Sequence, residues 1–475
     1  MRLRYSLLST AAMLATLVPV CGSASGITMN PEEDIVVTAA PVYHPLAALR
    51  GEERFPEGAQ LLLVHQGAAA PLVKGFAATA DANVSFDGKT VLFAGKRAAG
   101  DPWQIWELSV ADGSVRKMIS SATDAIRPLH LPAGQLVYAS RTLAGYQLVV
   151  AGKNDAHAPD GVPADAGSIA LPISYLPVSA IPVDVLQDGR ILFESNYPLG
   201  SGSTAELYLV YSDGSGVESY RCDHGQARWG GRQLASGDVV FTHGTSLARF
   251  TSPMAHEVPV AAPHAEYAGA IAETARGDWL VSSRSAAAGY FALKLLKPNL
   301  PKAAPLAMQT VLAESGENLV DPVLLAPRKR PNHHPTALHP WSYANLLALD
   351  SRKSREGDLE AVPSSVRLET MDSQGRVVSN GTAPVEADGS FFVQTPADKP
   401  IRFVLLNENG AIVRQEHGWF WIRKGEQRIC TGCHTGPERA SENRVPAVLL
   451  RTTDPVDLTG TKIVSQPPSN ARGGK

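Results

Sequence analysis

Apolar positions in this chain fall in short runs, too brief and too evenly spaced for long helices. A glycine leading into four or five mostly apolar residues recurs five times: Gly88-Lys-Thr-Val-Leu-Phe93, Gly134-Gln-Leu-Val-Tyr138, Gly189-Arg-Ile-Leu-Phe193, Gly237-Asp-Val-Val-Phe241 and Gly277-Asp-Trp-Leu-Val281. Successive copies are 46, 55, 48 and 40 residues apart. A period near 40–50 with several strands per repeat is the pattern of propeller blades, in which a ring of four-stranded sheets buries faces that one sheet alone leaves wet. Within the first copy, Ser85-Phe-Asp87-Gly88 makes a tight turn, Val91–Phe93 is a buried strand, Gln104–Leu108 alternates, and Asp112-Gly113 closes a hairpin. A partial copy at Gly58–Leu63 raises the expected count to six or seven blades, and a strand over Tyr343–Leu349 is a candidate for closing the ring. The rival is a pair of plain β-sandwiches with coincident glycine spacing.

The turn "SFDGKTVLF" and the alternating strand after it resemble TolB-type propeller repeats, and the resemblance implies an all-β, six- or seven-bladed TolB-like propeller over residues 40–328. Residues 329–344, with "KRPNHHPTALHP", read as a linker. His333, His334 and His339 there are open to two readings, a metal-binding tract or a solvated loop. A small β-sandwich-like domain is expected over 345–428. Val366, Leu368 and Thr370 alternate with polar neighbours, Asp388-Gly389 turns into Ser390–Val393, and Ile401–Leu406 is a central strand. Asn409-Gly410 marks a hairpin, and Trp419–Ile422 reads as an aromatic strand whose rings belong to the core.

Composition narrows the function. The 475 residues carry 43 Lys+Arg and 46 Asp+Glu, a balance that excludes electrostatic nucleic-acid binding as a leading function. Four cysteines are too few for a disulfide scaffold of this length. The start "MRLR" and the apolar stretch Leu7–Val20 read as an export signal over residues 1–25, cut near Ala24. Lipidation at Cys21 is the alternative processing. The stretch is too short to span a bilayer comfortably, and no other run approaches 18 apolar residues, so no transmembrane helix is expected. A periplasmic or secreted location follows, and residues 461–475 read as an unstructured tail.

The chemistry lies in Ile429-Cys430-Thr-Gly-Cys433-His434. Two thiols three positions apart reach the two vinyl groups on one edge of a haem, and the next His meets the iron as proximal ligand. Export agrees, because covalent haem attachment occurs outside the cytoplasm. A thioredoxin-like site wants a βαβ context, and a zinc knuckle wants two more nearby ligands; neither is present. One covalent haem c is therefore expected on the segment 429–460, held by Cys430, Cys433 and His434.

The stretch "VEADGSFFVQTPADKPIRFVLLNENGAIVRQEHGWFWIRKGEQRICTGCH" resembles the middle domain of hydrazine synthase alpha subunits, through Asp388–Phe391, Pro396–Asp398, Pro400-Ile401, Gly410, Trp419, Gly425-Glu426, Arg428 and the haem motif. That family places a propeller before this domain, which supports the architecture and the haem. Two departures weaken any carry-over of its chemistry. This chain has a single haem motif, and Glu438 stands where the synthase has a Tyr that takes part in unusual iron ligation. Conventional ligation by His434 is expected.

No Met or His follows His434, so a second axial ligand has to come from upstream or the iron stays open. His417, Met371 and the cluster Cys222-Asp223-His224 are the candidates. Cys222 and His224 are open to two readings, ligands to iron or an accessory metal ion, or a buried cysteine beside a turn histidine. Three functions remain. The first is an exported monohaem protein passing electrons to a redox partner, another cytochrome or a periplasmic oxidoreductase. The second is a haem enzyme acting on a small nitrogen or oxygen species, with Asp223 and His224 as candidates for proton transfer. The third is a propeller binding module whose haem is structural.

Overall fold

The computed structural model describes residues 34–152, 169–221, 225–252, 255–285, 289–298, 308–314, 316–354, 357–372, 374–432 and 444–460. The expected export signal, Cys21 and the 461–475 tail lie outside them. The regular structure of the described chain is almost wholly strand, arranged as eight four-stranded sheets. Six form the propeller. Blade 2 runs Ala78–Val84, Thr90–Lys96, Gln104–Ser109 and Val115–Ile119 from the axis outwards. Blade 3 starts with Ala125–His130, blade 4 with Ile181–Val185, blade 5 with Arg228–Gln233 and blade 6 with Glu266–Glu273.

Blade 1 is built from both ends of the propeller segment. Its inner strand is Asn318–Leu324, and its outer three are Ile35–Ala40, Gln60–His65 and Ala68–Pro71. Thr38 pairs with Val320 and Ala40 with Asn318, antiparallel. The described residues therefore form six blades. The ring closes through Asn318–Leu324 and not through Tyr343–Leu349: Tyr343–Ala348 pairs instead with Phe391–Pro396 in the second domain. Both segments have a strand pattern, and only long-range pairing separates them.

The inner strands line the central channel, and each pairing with its neighbour is interrupted by a bulge. Asp81, Arg127, Gly230, Gly269 and Asp321 sit at five of these bulges with φ of 59°, 53°, 66°, 74° and 53°. Three charged side chains thus occupy a backbone region that costs non-glycine residues about 1–3 kcal/mol each. Their reward is a buried ionic hub. Arg54, from the excursion between the first two outer strands of blade 1, donates to Asp81 at 2.5 Å and to Asp321 at 2.6 Å. Arg127 adds longer contacts to the same two carboxylates, at 3.6 and 3.5 Å. Backbone amides of adjacent blades complete the set, from Arg127 to Asp81 and from Ala270 to Asp321.

The second domain packs two sheets around Leu346, Val366, Leu368, Phe391, Val393, Ile401 and Phe403. One sheet has the order Gln427–Cys430, Tyr343–Ala348, Phe391–Pro396, Val456–Asp457. The other has the order Val377–Pro384, Ser365–Met371, Ile401–Leu406, Ile412–Gln415. The expected aromatic strand over Trp419–Ile422 is not one: only Phe420 makes a bridge, to Ile401. Trp421 leaves its own domain. It is fully buried in the propeller's core beside Phe193, and its Nε1 donates to the Gly214 carbonyl at 2.9 Å. A large apolar ring with one donor is satisfied by any core that offers an acceptor at the right depth, and here that core lies between blades 3 and 4.

The connecting segment lies across the face of the ring where inner strands turn into second strands. Arg328 N donates to the Phe86 carbonyl of blade 2 and Asn332 N to the Gln187 carbonyl of blade 4, both at 2.9 Å. A Cβ on Gly189 would stand 2.3 Å from the Asn332 carbonyl oxygen, so the repeat glycine there also admits the linker.

Candidate haem-attachment site

Gln427–Cys430 is an edge strand running parallel to Tyr343–Ala348, with Cys430 opposite Ala348. The Cys430 carbonyl accepts from Leu349 N at 2.9 Å, which fixes where the strand ends. Its thiol packs against the domain core. Burial pushes its pKa up, Arg428 opposes this and Glu416 reinforces it. Burial thus holds the unmodified thiol towards its protonated form. Cys433 and His434, with Glu438, lie outside the described residues.

Several elements hold the approach to Cys430. Gly425 adopts φ 74°, and a Cβ there would meet the His339 carbonyl oxygen at 1.8 Å. Glu426 is buried and accepts from Gly216 N at 3.1 Å and Arg423 N at 2.8 Å; burial raises its pKa. Arg423 donates to the Asp213 carbonyl at 2.8 Å, to Asp398 at 2.5 Å and to the Tyr175 hydroxyl. Arg428 donates to the Val217 carbonyl and lies over the Phe420 ring at 5.4 Å. Its Nη1 is buried with no hydrogen-bond acceptor. The residues from Arg423 to Arg428 therefore clamp the attachment strand to blade 4, whose loop supplies Asp213, Gly214, Gly216 and Val217.

The far side of the segment is anchored by the Asp388-Gly-Ser turn. Asp388 accepts from Ala447 N at 2.8 Å, Ser390 Oγ accepts from Val448 N at 3.1 Å, and Arg444 reaches the Asp388 carbonyl at 3.3 Å. Apolar side chains stand in water on both sides: Ile429 is 66 % exposed, Val445 60 % and Leu450 75 %. Such a surface fits the apolar face of a porphyrin better than it fits water. The donor set, two thiols and an imidazole in the CxxCH order, fits the same group.

The remaining candidates are scattered. His417 is exposed, and its carbonyl accepts from Ser201 Oγ at 2.9 Å. The preceding Glu416 acts electrostatically on Cys430, so this turn lies beside the attachment strand. Met371 ends a strand of the other sheet. Cys222, Asp223 and His224 lie outside the described residues. Their neighbour Gly225 faces Tyr197, a Cβ on it falling 3.9 Å from that ring, and the loop after Tyr197 receives Trp419 N on the Leu199 carbonyl at 2.5 Å. In the linker, His334 stacks on Tyr211 and His339 on Trp341, with centroids 3.9 and 4.3 Å apart. Among the described residues no three His, Cys, Asp or Glu side chains are grouped to hold a metal ion. No helix among them is long and apolar enough to cross a membrane. Sequence reasoning missed the clamp from Arg423 to Arg428. Its one signal was the Gly425-Glu-Gln-Arg428 string, and the partners lie some 200 residues away in blade 4.

Residues 350–435 match the family described as the hydrazine synthase alpha subunit middle domain. No curated protein sequence matches the chain. Among solved structures, Kuenenia stuttgartiensis hydrazine synthase is similar with a TM-score of 0.76 and 17 % identity, over 88 % of this chain and 71 % of that one. TolB from Acinetobacter baumannii is similar with a TM-score of 0.43 and 11 % identity, over 65 % of this chain and 69 % of its own.

Proposed function

We propose, from the premise that residues 350–435 form a hydrazine synthase alpha subunit middle domain, that this protein is an exported redox protein carrying one haem c and transferring electrons. Cys430 and Cys433 would bind the haem covalently and His434 would ligate the iron. The haem, when bound, supplies one-electron chemistry whose potential is set by axial ligation, hydrogen bonding and burial. The chain's own residues hold it. The half-buried Cys430 would fix one attachment point, and the clamp from Arg423 to Arg428 would set that point against blade 4. The exposed Ile429, Val445 and Leu450 would supply apolar surface for the group. The observation that carries the reading is this exposed apolar border on both sides of a CxxCH segment. Its partner would be another cytochrome or a periplasmic oxidoreductase, and membership of a multi-subunit assembly is part of the same proposal.

The test is haem staining of the denatured protein after maturation in a periplasm with haem-attachment machinery. One haem per chain, lost in the Cys430→Ala/Cys433→Ala double variant, is expected. A colourless wild-type chain, or covalent haem surviving in the double variant, overturns it.

A second reading is a haem enzyme acting on a small nitrogen or oxygen species, with the haem kept open towards the propeller. The fold match to hydrazine synthase across 88 % of the chain favours it. So does the segment from Tyr197 to Leu199, whose Tyr197 ring faces Gly225 and whose Leu199 carbonyl accepts from Trp419 N. Carbon monoxide separates the two. A reduced protein whose absorption spectrum does not respond supports electron transfer; tight binding supports the enzyme.

A further inference from the structure

Arg428 and Cys430 stand side by side on the edge strand. They are two residues apart, opposite Leu346 and Ala348 of the neighbouring strand. Residues at i and i+2 of a strand share a face, roughly 7 Å apart. Exposure follows the same alternation: Gln427 and Ile429 face water, whereas Arg428 and Cys430 are half-buried. The Phe420 ring, which Arg428 covers at 5.4 Å, packs on the same apolar cluster that the Cys430 thiol joins. Burial pushes the pKa of that thiol up and Arg428 works against the push, so the charge is felt at the sulfur.

That charge is only partly answered. The Arg428 side chain is 18 % exposed. It donates to the uncharged Val217 carbonyl, and its Nη1 is buried with no acceptor. The Glu426 carboxylate stands 3.8 Å from Nη1, too far for a hydrogen bond. Both Glu426 oxygens already accept from backbone, one from Gly216 N at 3.1 Å and the other from Arg423 N at 2.8 Å. A guanidinium does not lose its proton in a protein, so this is a permanent cation, held by packing beside the attachment thiol.

We propose that Arg428 is the cation that sets the reduction potential of the haem carried at Cys430. The inference rests on the haem reading given above. Reduction adds one electron to the group and lowers its net charge by one, so a fixed positive charge beside it favours the reduced form and raises the potential. Arg428 itself neither gains nor loses an electron. One charge, screened by an effective dielectric of ~20, is expected to change the oxidised-to-reduced ratio roughly tenfold, about 59 mV for one electron.

The test is the midpoint potential of the full-length, haem-loaded protein, read by absorption during titration with dithionite as reductant and ferricyanide as oxidant. Arg428→Gln keeps an N–H for the Val217 carbonyl and deletes the charge; its potential should fall by about 59 mV, the same tenfold ratio. Arg428→Lys should restore most of the loss. Only haem-bearing molecules contribute to the signal, so poor loading of a variant does not obscure it. Glu416→Gln removes the negative charge that acts on the Cys430 sulfur in the opposite sense, and should raise the potential. An Arg428→Gln protein with an unchanged potential overturns the inference and leaves the haem reading standing. So does an equal fall in Arg428→Lys, which makes the contact and not the charge responsible, and so does the lack of an upward shift in Glu416→Gln. A colourless wild-type chain overturns the haem reading and this inference with it.

Discussion

Replacing Arg54 by Met removes the central cation of the propeller while keeping a side chain of similar length. Both carboxylates it serves are buried, Asp81 at 6 % and Asp321 at 5 % exposure, and each loses a contact of about 2.5 Å. Arg127 remains, but a single cation at 3.5–3.6 Å cannot balance two buried carboxylates. Breaking such a pair costs about 3–5 kcal/mol, because the stranded charge keeps its desolvation penalty. The pH dependence gives a second handle. Asp321 is held well below the ordinary carboxylate range by Arg127 and Arg54 against the opposing effect of burial. Its contribution is therefore present above the unfolded pKa, about 3.9, and fades as pH falls towards the depressed folded value. Urea unfolding followed by intrinsic fluorescence should show the Arg54→Met deficit in full at pH 7 and a smaller one below pH 4, where the carboxylates of the variant protonate readily. A variant as stable as the wild type at pH 7, or a deficit that widens on acidification, refutes the view of the hub as a compensated ionic pair.

Three further outcomes follow from the packing. Trp421→Ala should cost about 3–5 kcal/mol from the cavity left between blades 3 and 4, and limited proteolysis should then cut residues 325–342. Gly425→Ala, forced against the His339 carbonyl at positive φ, should lose more than about 1 kcal/mol and lower haem incorporation read by staining, whereas Gly410→Ala, with open space around it, should not alter incorporation. His130 has a folded pKa near 4 against an ordinary 6.5, so the unfolded chain binds the extra proton between them and stability declines as pH drops through that window. Thermal melts from pH 7 to pH 4 should show the decline, and His130→Gln should flatten it.

What the sequence disclosed depended on range. All five glycine copies precede the second strands of blades 2 to 6, including Thr90–Lys96 and Trp279–Arg284. A turn followed by an apolar run is local chemistry, so the period survives without knowledge of the fold. The closing strand is the reverse case. Asn318–Leu324 is chosen by pairing with Ile35–Ala40, far off in the chain, and Tyr343–Ala348 has an equally good strand pattern. Charged residues at the channel bulges broke the alternation that a strand reading relies on, so Asp81, Arg127 and Asp321 gave no warning of a hub. The aromatic run around Trp421 signalled burial but not in which core. The CxxCH order was plain because covalent attachment dictates its spacing, whereas the clamp from Arg423 to Arg428 draws its partners from blade 4 and left only a short string to notice.

The shared parentage of blade 1 sets a timetable. As the chain folds, Ile35–Ala40 has an unpaired edge until Asn318–Leu324 pairs with it. Until that pairing forms the ring is an open crescent with a sticky end, and the inner strand that comes last in the chain is the latch that ends the danger of wrong pairing between chains.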